Sequence, residues 1–195
     1  YEGGFIRAFK DRRPSPMVEF VECSALRVEG VTLQDSPGWT LHLHDCTDVA
    51  VQGISIRNSP WGPNTDGIDM TGSQRVFVED CDIQTGDDGV CLKTTGDSRA
   101  TRDIVVRRCR ISSMCAGLKL GCVESVQDMS NVLFEDCEVR GCSRMLAIYS
   151  YRGARIERVT ARKITGDTRA PLIQNRPIHI EARIDRPDDS QPDAF

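Results

Sequence analysis

The sequence predicts an all-β chain wound as a parallel β-helix, and three observations carry that prediction. Apolar residues alternate in short β-branched runs, the runs form one recurring template, and the template returns every 22–28 residues. Period-2 alternation marks half-buried strands, and a fixed repeat of this length marks a solenoid. Stacked coils then pair at the ordinary strand spacing of about 4.8 Å, with inward side chains forming ladders. A leucine-rich repeat needs a Leu-rich consensus and its Asn, which are absent. An antiparallel sandwich does not keep so constant a register.

The template is an apolar pair at i and i+2 followed by another at i+5 and i+7. Its copies are Leu26/Val28/Val31/Leu33, Val49/Val51/Ile54/Ile56, Val76/Val78/Cys81/Ile83, Ile104/Val106/Cys109/Ile111 and Val132/Phe134/Cys137/Val139. A weaker sixth copy reads Ala154/Ile156/Val159/Ala161, so the starts lie 23, 27, 28, 28 and 22 residues apart. A second alternating pair precedes each copy: Val18/Phe20, Leu41/Leu43, Ile68/Met70, Val90/Leu92, Leu118/Leu120 and Leu146/Ile148. That makes three short strands per coil and six to seven coils. Two coils carry a six-residue longer loop, at 94–103 and 122–131.

At 195 residues the chain is expected to form one domain. Regular coils should run over 17–165, followed by an irregular and truncated coil over 166–195. No capping helix is visible before Pro14 or after Ile173, although a solenoid needs its ends shielded. The Asp- and Pro-rich tail from Arg183 reads as a loop, and the first residue is not Met. An excerpt of a longer solenoid is therefore expected.

Composition removes several functions. A net charge of −4 and a pI near 5.4 argue against nucleic-acid binding, which needs a basic face. No apolar run is long enough to span a membrane, and no signal peptide opens the chain. Nine cysteines cannot all pair within one chain. Cys81, Cys109 and Cys137 share one inward column, and Cys23 and Cys46 another, so most are expected as buried thiols. A disulfide among Cys115, Cys122, Cys137 and Cys142 stays open at this point.

The turns between coils carry the chemistry. Asn64-Thr65-Asp66-Gly67-Ile68-Asp69 and Gly86-Asp87-Asp88-Gly89 interrupt the alternation at equivalent positions on adjacent coils. Asp66 and Asp88 then share a column, with Asp87 one position earlier, and the glycines suit backbone conformations that other residues resist. Like charges stacked one rung apart raise the pKa of one of them, an arrangement with a use in acid–base catalysis. In inverting glycosidases the two carboxyl groups stand about 6.5–9.5 Å apart, which adjacent rungs reach if the side chains diverge. Acidic turn residues such as Asp45, Asp48, Asp97 and Asp103 read as ordinary loop solvation.

These motifs resemble glycoside hydrolase family 28, the polygalacturonase-like pectinases. Beyond the two acidic turns, the likeness rests on Arg13-Pro14, Ser36-Pro37, Trp39-Thr40-Leu41-His42, Asn58 and Ser59-Pro60, and runs from about residue 13 to 150. The resemblance implies a right-handed β-helix and hydrolysis with inversion. Asp87 would be the general acid, and Asp66 and Asp88 would activate the attacking water. It further implies a polysaccharide substrate, no cofactor or metal, and an extracellular or periplasmic location. Two family motifs are not matched. Gly-His-Gly is replaced by Cys115-Ala116-Gly117, and Arg-Ile-Lys by Leu146-Ala147-Ile148-Tyr149, so Ala147 and Tyr149 stand where two uronate-binding cations would be.

Lys119, in the column of Asp69, is a candidate to compensate, by meeting a substrate acid or by lowering a neighbouring carboxylate's pKa. Its alternative is a solvated lysine paired with Asp69 or Glu124. Arg144, one rung beyond Ala116, is a second candidate cation. Asp69, Asn64 and Trp61 complete the candidate substrate contacts. Trp61 adjoins the Asp66 turn and offers a ring to a sugar face, whereas Asn64 either contacts substrate or caps its own turn. Trp39 is expected in packing. His42 and His44 flank Leu43 and are expected on a solvated strand face, and His179 has no visible partner. Against the hydrolase stand two other functions: a catalytically degenerate β-helix that binds glycan or serves as a structural module, and a calcium-dependent polysaccharide lyase using Asp oxygens for the ion and Lys119 as base.

Overall fold

The computed structural model describes residues 13–171 and 174–183. The capping segment sought before Pro14 and the tail beyond Arg183 lie outside the described residues. Every strand pairing is parallel, and the chain climbs one rung per coil. The first coil holds β1 (Val18–Val21), β2 (Ser24–Glu29) and β3 (Thr32–Gln34). The second holds β4 (Leu41–His44), β5 (Thr47–Gln52) and β6 (Ser55–Arg57), and the third β7 (Ile68–Thr71), β8 (Gln74–Glu79) and β9 (Asp82–Thr85). The fourth holds β10 (Val90–Lys93), β11 (Thr101–Arg107) and β12 (Arg110–Ser113). Then come β13 (Ala116–Leu120) with β14 (Met129–Arg140), β15 (Arg144–Ser150) with β16 (Ile156–Gly166), and β17 (Ile178–Ala182). No helix among the described residues is long and apolar enough to cross a membrane.

The first sheet runs β1-β4-β7-β10-β13-β15-β17. Its register places Val18, Leu41, Ile68, Val90, Leu118 and Leu146 in one ladder, as the alternation predicts. The second ladder, β2-β5-β8-β11-β14, aligns Leu26, Val49, Val76, Ile104 and Val132. β3, β6, β9 and β12 form a third face that meets the second on β14, which runs unbroken across the corner. The result is a right-handed parallel β-helix, the hand that parallel crossovers take. Leu41, Leu43, Ile68, Met70, Val90, Leu92, Leu118 and Leu120 are fully buried in one core with the template residues of the second to fifth copies, whereas Val31 of the first copy is 40% exposed. Each such side chain contributes roughly 1.5–3 kcal/mol by leaving water.

Two expectations about the last coils need correction. Val132 pairs with Val159 and Cys137 with Ile164. The sixth copy is therefore Val159/Ala161/Ile164/Gly166, five residues later than read. The template's two pairs are themselves five residues apart, so a weak copy matches equally well one pair too early. The stretch from 166 onward, expected to be irregular, contains β17, which continues the first sheet on β15.

The corner between the second and third strands is a single residue in left-handed conformation in every coil. Gly30, Gly53, Asp80, Arg108, Asp136 and Lys163 have φ between 53° and 62°. Gly and Asp adopt this region readily, and Arg108 is held there by ion pairs to Asp80 and Glu79. Cys81, Cys109 and Cys137 stack just inside this corner, each buried. Their thiols sit 3.2–3.3 Å from the carbonyls of Glu79, Arg107 and Glu135. All nine cysteines are free thiols.

Candidate active site

The first sheet presents its outward face to the turns that precede β7 and β10, and the three acidic residues meet there. Gly67 N–H donates to the Asp88 carbonyl at 2.9 Å, and Gly89 N–H to the Ala116 carbonyl at 2.8 Å. The turns are thereby fixed as consecutive rungs, with Asp66, Asp88, Ala116 and Arg144 in one column. The glycines have a different cause from the one expected: neither Gly67 nor Gly89 has positive φ. A Cβ on Gly67 would lie 2.4 Å from the Gly89 carbonyl oxygen, and one on Gly89 would lie 2.6 Å from that of Gly117. The coils touch backbone to backbone here, and only hydrogen fits between them.

One carboxylate oxygen each from Asp66, Asp87 and Asp88 lies within 4.8 Å of the others. The three side chains converge on one patch. Asp66 and Asp88 are each 3% exposed, and each is met by a lysine. Lys93 Nζ lies 3.2 Å from Asp66 Oδ2 and 2.7 Å from Asp69 Oδ1. Lys119 Nζ lies 2.7 Å from Asp88 Oδ2, while Asp88 Oδ1 accepts the Ala116 N–H at 3.1 Å. Asp87 has no such cation among the described residues. Its Oδ2 accepts the Asn64 backbone N–H at 3.2 Å and its Oδ1 accepts the Asp88 N–H at 2.9 Å. Its carbonyl accepts the hydroxyls of Thr85 and Ser113 at 2.6 and 2.7 Å.

This asymmetry separates the carboxyl groups electrostatically. Burial, with Asp66 and Asp88 as like-charged neighbours, pushes the Asp87 carboxyl up to about 7. Asp66 is also raised by burial, against the pull of Lys93. Asp69 is raised well above the carboxylate range by burial. Both lysines are held well above their usual value by the carboxylates they touch, despite burial acting the other way. Three carboxylate oxygens this close offer part of the six to eight that calcium takes. The ammonium groups on two of them oppose a divalent ion.

The structure brings together most of the candidates but changes several. Asp69 has no exposed surface and is spent on Lys93, so it cannot touch substrate as expected. Lys119 pairs with Asp88 rather than with Asp69 or Glu124. Asn64 caps the next coil rather than its own turn, and its Oδ1 accepts from Arg13 at 3.2 Å. Trp61 is 52% exposed on the rim. Arg144 stands in the acid column and donates to Ser143 Oγ at 3.4 Å. His42 is not solvated: it is buried, donates from Nδ1 to Glu19 at 2.9 Å, and accepts from Thr71 at Nε2 at 2.9 Å. His179 has partners in Glu181, at 3.1 Å, and Arg176, at 3.2 Å. Ala147 and Tyr149 face outward beside Lys119, with Tyr149 packed 5.5 Å from Tyr151 and 5.4 Å from His179.

Sequence reasoning missed Lys93. Alternation with Val90 and Leu92 places it outward, beside Thr71 and one rung from the Asp69 strand. That signal was available, but its enclosure depends on Trp39, whose ring centroid lies 3.6 Å from Nζ.

Residues 6–170 match glycosyl hydrolases family 28. The chain belongs to this family. A probable polygalacturonase of Arabidopsis thaliana is 30% identical over 151 residues, covering 74% of this chain and 31% of its own length. A probable polygalacturonase of Vitis vinifera is 31% identical over 148 residues, covering 72% and 28%. The chain thus spans under a third of these plant relatives. Among solved structures, an exopolygalacturonase of Thermotoga maritima superposes with a TM-score of 0.67 at 22% identity, over 92% of this chain and 48% of that one. A polygalacturonase of Erwinia carotovora gives 0.66 at 21%, over 82% and 42%. At that identity the likeness concerns the fold.

Proposed function

We propose that the chain carries the catalytic coils of a glycoside hydrolase that cleaves a pectin-related acidic polysaccharide by single displacement with inversion. The observation that carries this reading is the distribution of two lysines over three carboxyl groups. Asp66 and Asp88 each hold a cation, and Asp87 holds none among the described residues. Pairs of carboxyl groups driven apart in this way assign acid and base roles.

In this reading Asp87 keeps a proton near neutral pH and delivers it to the glycosidic oxygen as the bond breaks. Asp66 and Asp88, as ion-paired carboxylates, share one water between them and take its proton as it attacks the anomeric carbon. Oxygens less than 4.8 Å apart suit a single bridging water. Asp66 Oδ1 is buried without a protein partner, which supports its use as the water's acceptor. The separation is shorter than the usual inverting range and near the retaining one. What supports inversion is that Asp66 and Asp88 are buried and held by lysines, with Asp66 Oδ1 left to bind a water, so that the water and not a carboxylate oxygen reaches the anomeric carbon. Arg144, Asn64, Lys119 and Trp61 are the candidate substrate contacts, with Lys119 reached only through its pair to Asp88. An extracellular or periplasmic location and a role in cell-wall pectin breakdown follow from the family's polymeric substrates.

The test is the anomeric configuration of the first product, followed by NMR on a panel of pectic polysaccharides. Inverted reducing ends that form in the presence of chelator support the reading. Retained products would move one aspartate to the nucleophile role, and unsaturated products would replace hydrolysis by elimination. A glycan-binding module without turnover is the second reading, favoured by Ala116, Ala147 and Tyr149 on the rungs beyond the acids. Saturable binding by wild type and Asp87→Asn alike, with no product from either, would support it.

A further inference from the structure

We infer that Lys93 is a positioning residue for this reaction: its ammonium, clamped between Asp66 and Asp69 against the face of Trp39, fixes the Asp66 carboxylate in place and in its ionised form. The inference rests on the hydrolytic reading above.

A lysine on an outward strand face ordinarily extends into water. Lys93 is instead buried, with 8% of its side chain exposed, and desolvating an ammonium is costly unless its partners are well placed. Its column on the first sheet reads His44, Thr71, Lys93, Gly121 and Tyr149, so no repeat of the solenoid requires lysine here. The partners are specific. Asp69 is fully buried and has Lys93 as its ion-pair partner at 2.7 Å, and Asp66 meets Lys93 through Oδ2 while its buried Oδ1 has no protein partner. Trp39 closes the other side with its centroid 3.6 Å from Nζ, which keeps water from screening the pair. The other groups that face this ammonium are His42 on β4, Cys91 on its own strand, Asp87 and Asp88 in the turn before it, and Lys119 on β13. Burial holds the His42 imidazole below its usual range, against the pull of Glu19. Lys119 is committed to Asp88. Lys93 is therefore the cation in direct contact with Asp66, and Asp69 supplies the second carboxyl group that holds Lys93 in place.

A merely structural lysine would lower stability when removed and leave the chemistry of Asp66 unchanged. The discriminating measurement is the 13C-carboxyl NMR titration of Asp66, assigned with Asp66→Asn, in wild type, Lys93→Met and Lys93→Arg without substrate, alongside kcat and KM. Lys93→Met is expected to raise the Asp66 midpoint by at least about one unit, a tenfold change in its ionisation equilibrium. It should also lower kcat by about tenfold or more while KM moves less than about threefold. Lys93→Arg should restore most of both. Should Lys93→Met not fold, Lys93→Met/Asp69→Leu removes cation and second anion together, and the same shift is expected at Asp66. An Asp66 midpoint and kcat that stay at wild-type values in a folded variant would overturn the inference. Because the titration needs no turnover, an inactive wild type with a Lys93-dependent Asp66 would instead overturn the hydrolytic reading.

Discussion

Asp66 and Asp88 stand at the same position of adjacent coils, joined through the Gly67 N–H that donates to the Asp88 carbonyl at 2.9 Å, yet each carboxylate answers to a different lysine. Like charges one rung apart would repel. Lys93 and Lys119 reach them from β10 and β13 and leave Asp87 as the uncompensated member.

Asp87 follows as the acid. Asp87→Asn should lower kcat by at least about a thousandfold, the scale of general acid catalysis together with its coupled steps, while binding of a substrate oligosaccharide by calorimetry stays within about threefold. An active Asp87→Asn enzyme would remove this residue from the role.

The pH dependence has a defined sign. The folded-state pKa of about 7 lies above the ordinary carboxyl value of 3.8, so the folded state holds a proton that the unfolded chain has released. Activity that needs this proton should fall as pH rises through about 7. Stability contributed by the protonated form should likewise be lost between about pH 4 and 7. Asp87→Asn should therefore be more stable than wild type at pH 8, by about 1–2 kcal/mol after allowing for solvent at a partly exposed group, with no gain at pH 3. Thermal melts at the two pH values measure it.

Glycine substitutions should sort by cause. Gly53→Ala introduces a Cβ into open space at φ +60° and should cost about 1 kcal/mol for the left-handed backbone. Gly89→Ala drives a Cβ to 2.4 Å from Ile111 Cγ2 and 2.6 Å from the Gly117 carbonyl oxygen. It should cost about 2–4 kcal/mol, in the range of overpacked cores. Denaturant unfolding of the two variants should show that order, and the reverse order would contradict the backbone contact between coils.

The cysteine column makes a simpler demand. With nine free thiols, a melting temperature measured with and without reductant should agree within experimental error. Cys109→Ser places its hydroxyl within reach of the Arg107 carbonyl, 3.3 Å from Sγ, and should therefore cost only about 1 kcal/mol, with no change in the reductant response.

The solenoid was legible because its signal is repeated. Leu41, Ile68, Val90, Leu118 and Leu146 each report the same inward position, and an error in one copy is checked by the others. The slip at Val159 occurred where the repeat is weakest and only one neighbour constrains it. The meeting of Asp66 with Asp88 was legible for the same reason, since strand register alone sets it.

The sequence by itself thus determined the fold, the ladder positions and the three converging carboxyl groups, all of which follow from periodicity along one chain. Only the tertiary structure decided which charges neutralise which. Asp69 faces outward by alternation yet is sealed under Lys93, and His42 faces outward yet is covered beside Trp39. Alternation distinguishes the two sides of a strand. It carries no information about what folds over the outer side, and that cover sets the dielectric in which Asp66, Asp87 and Asp88 share their protons.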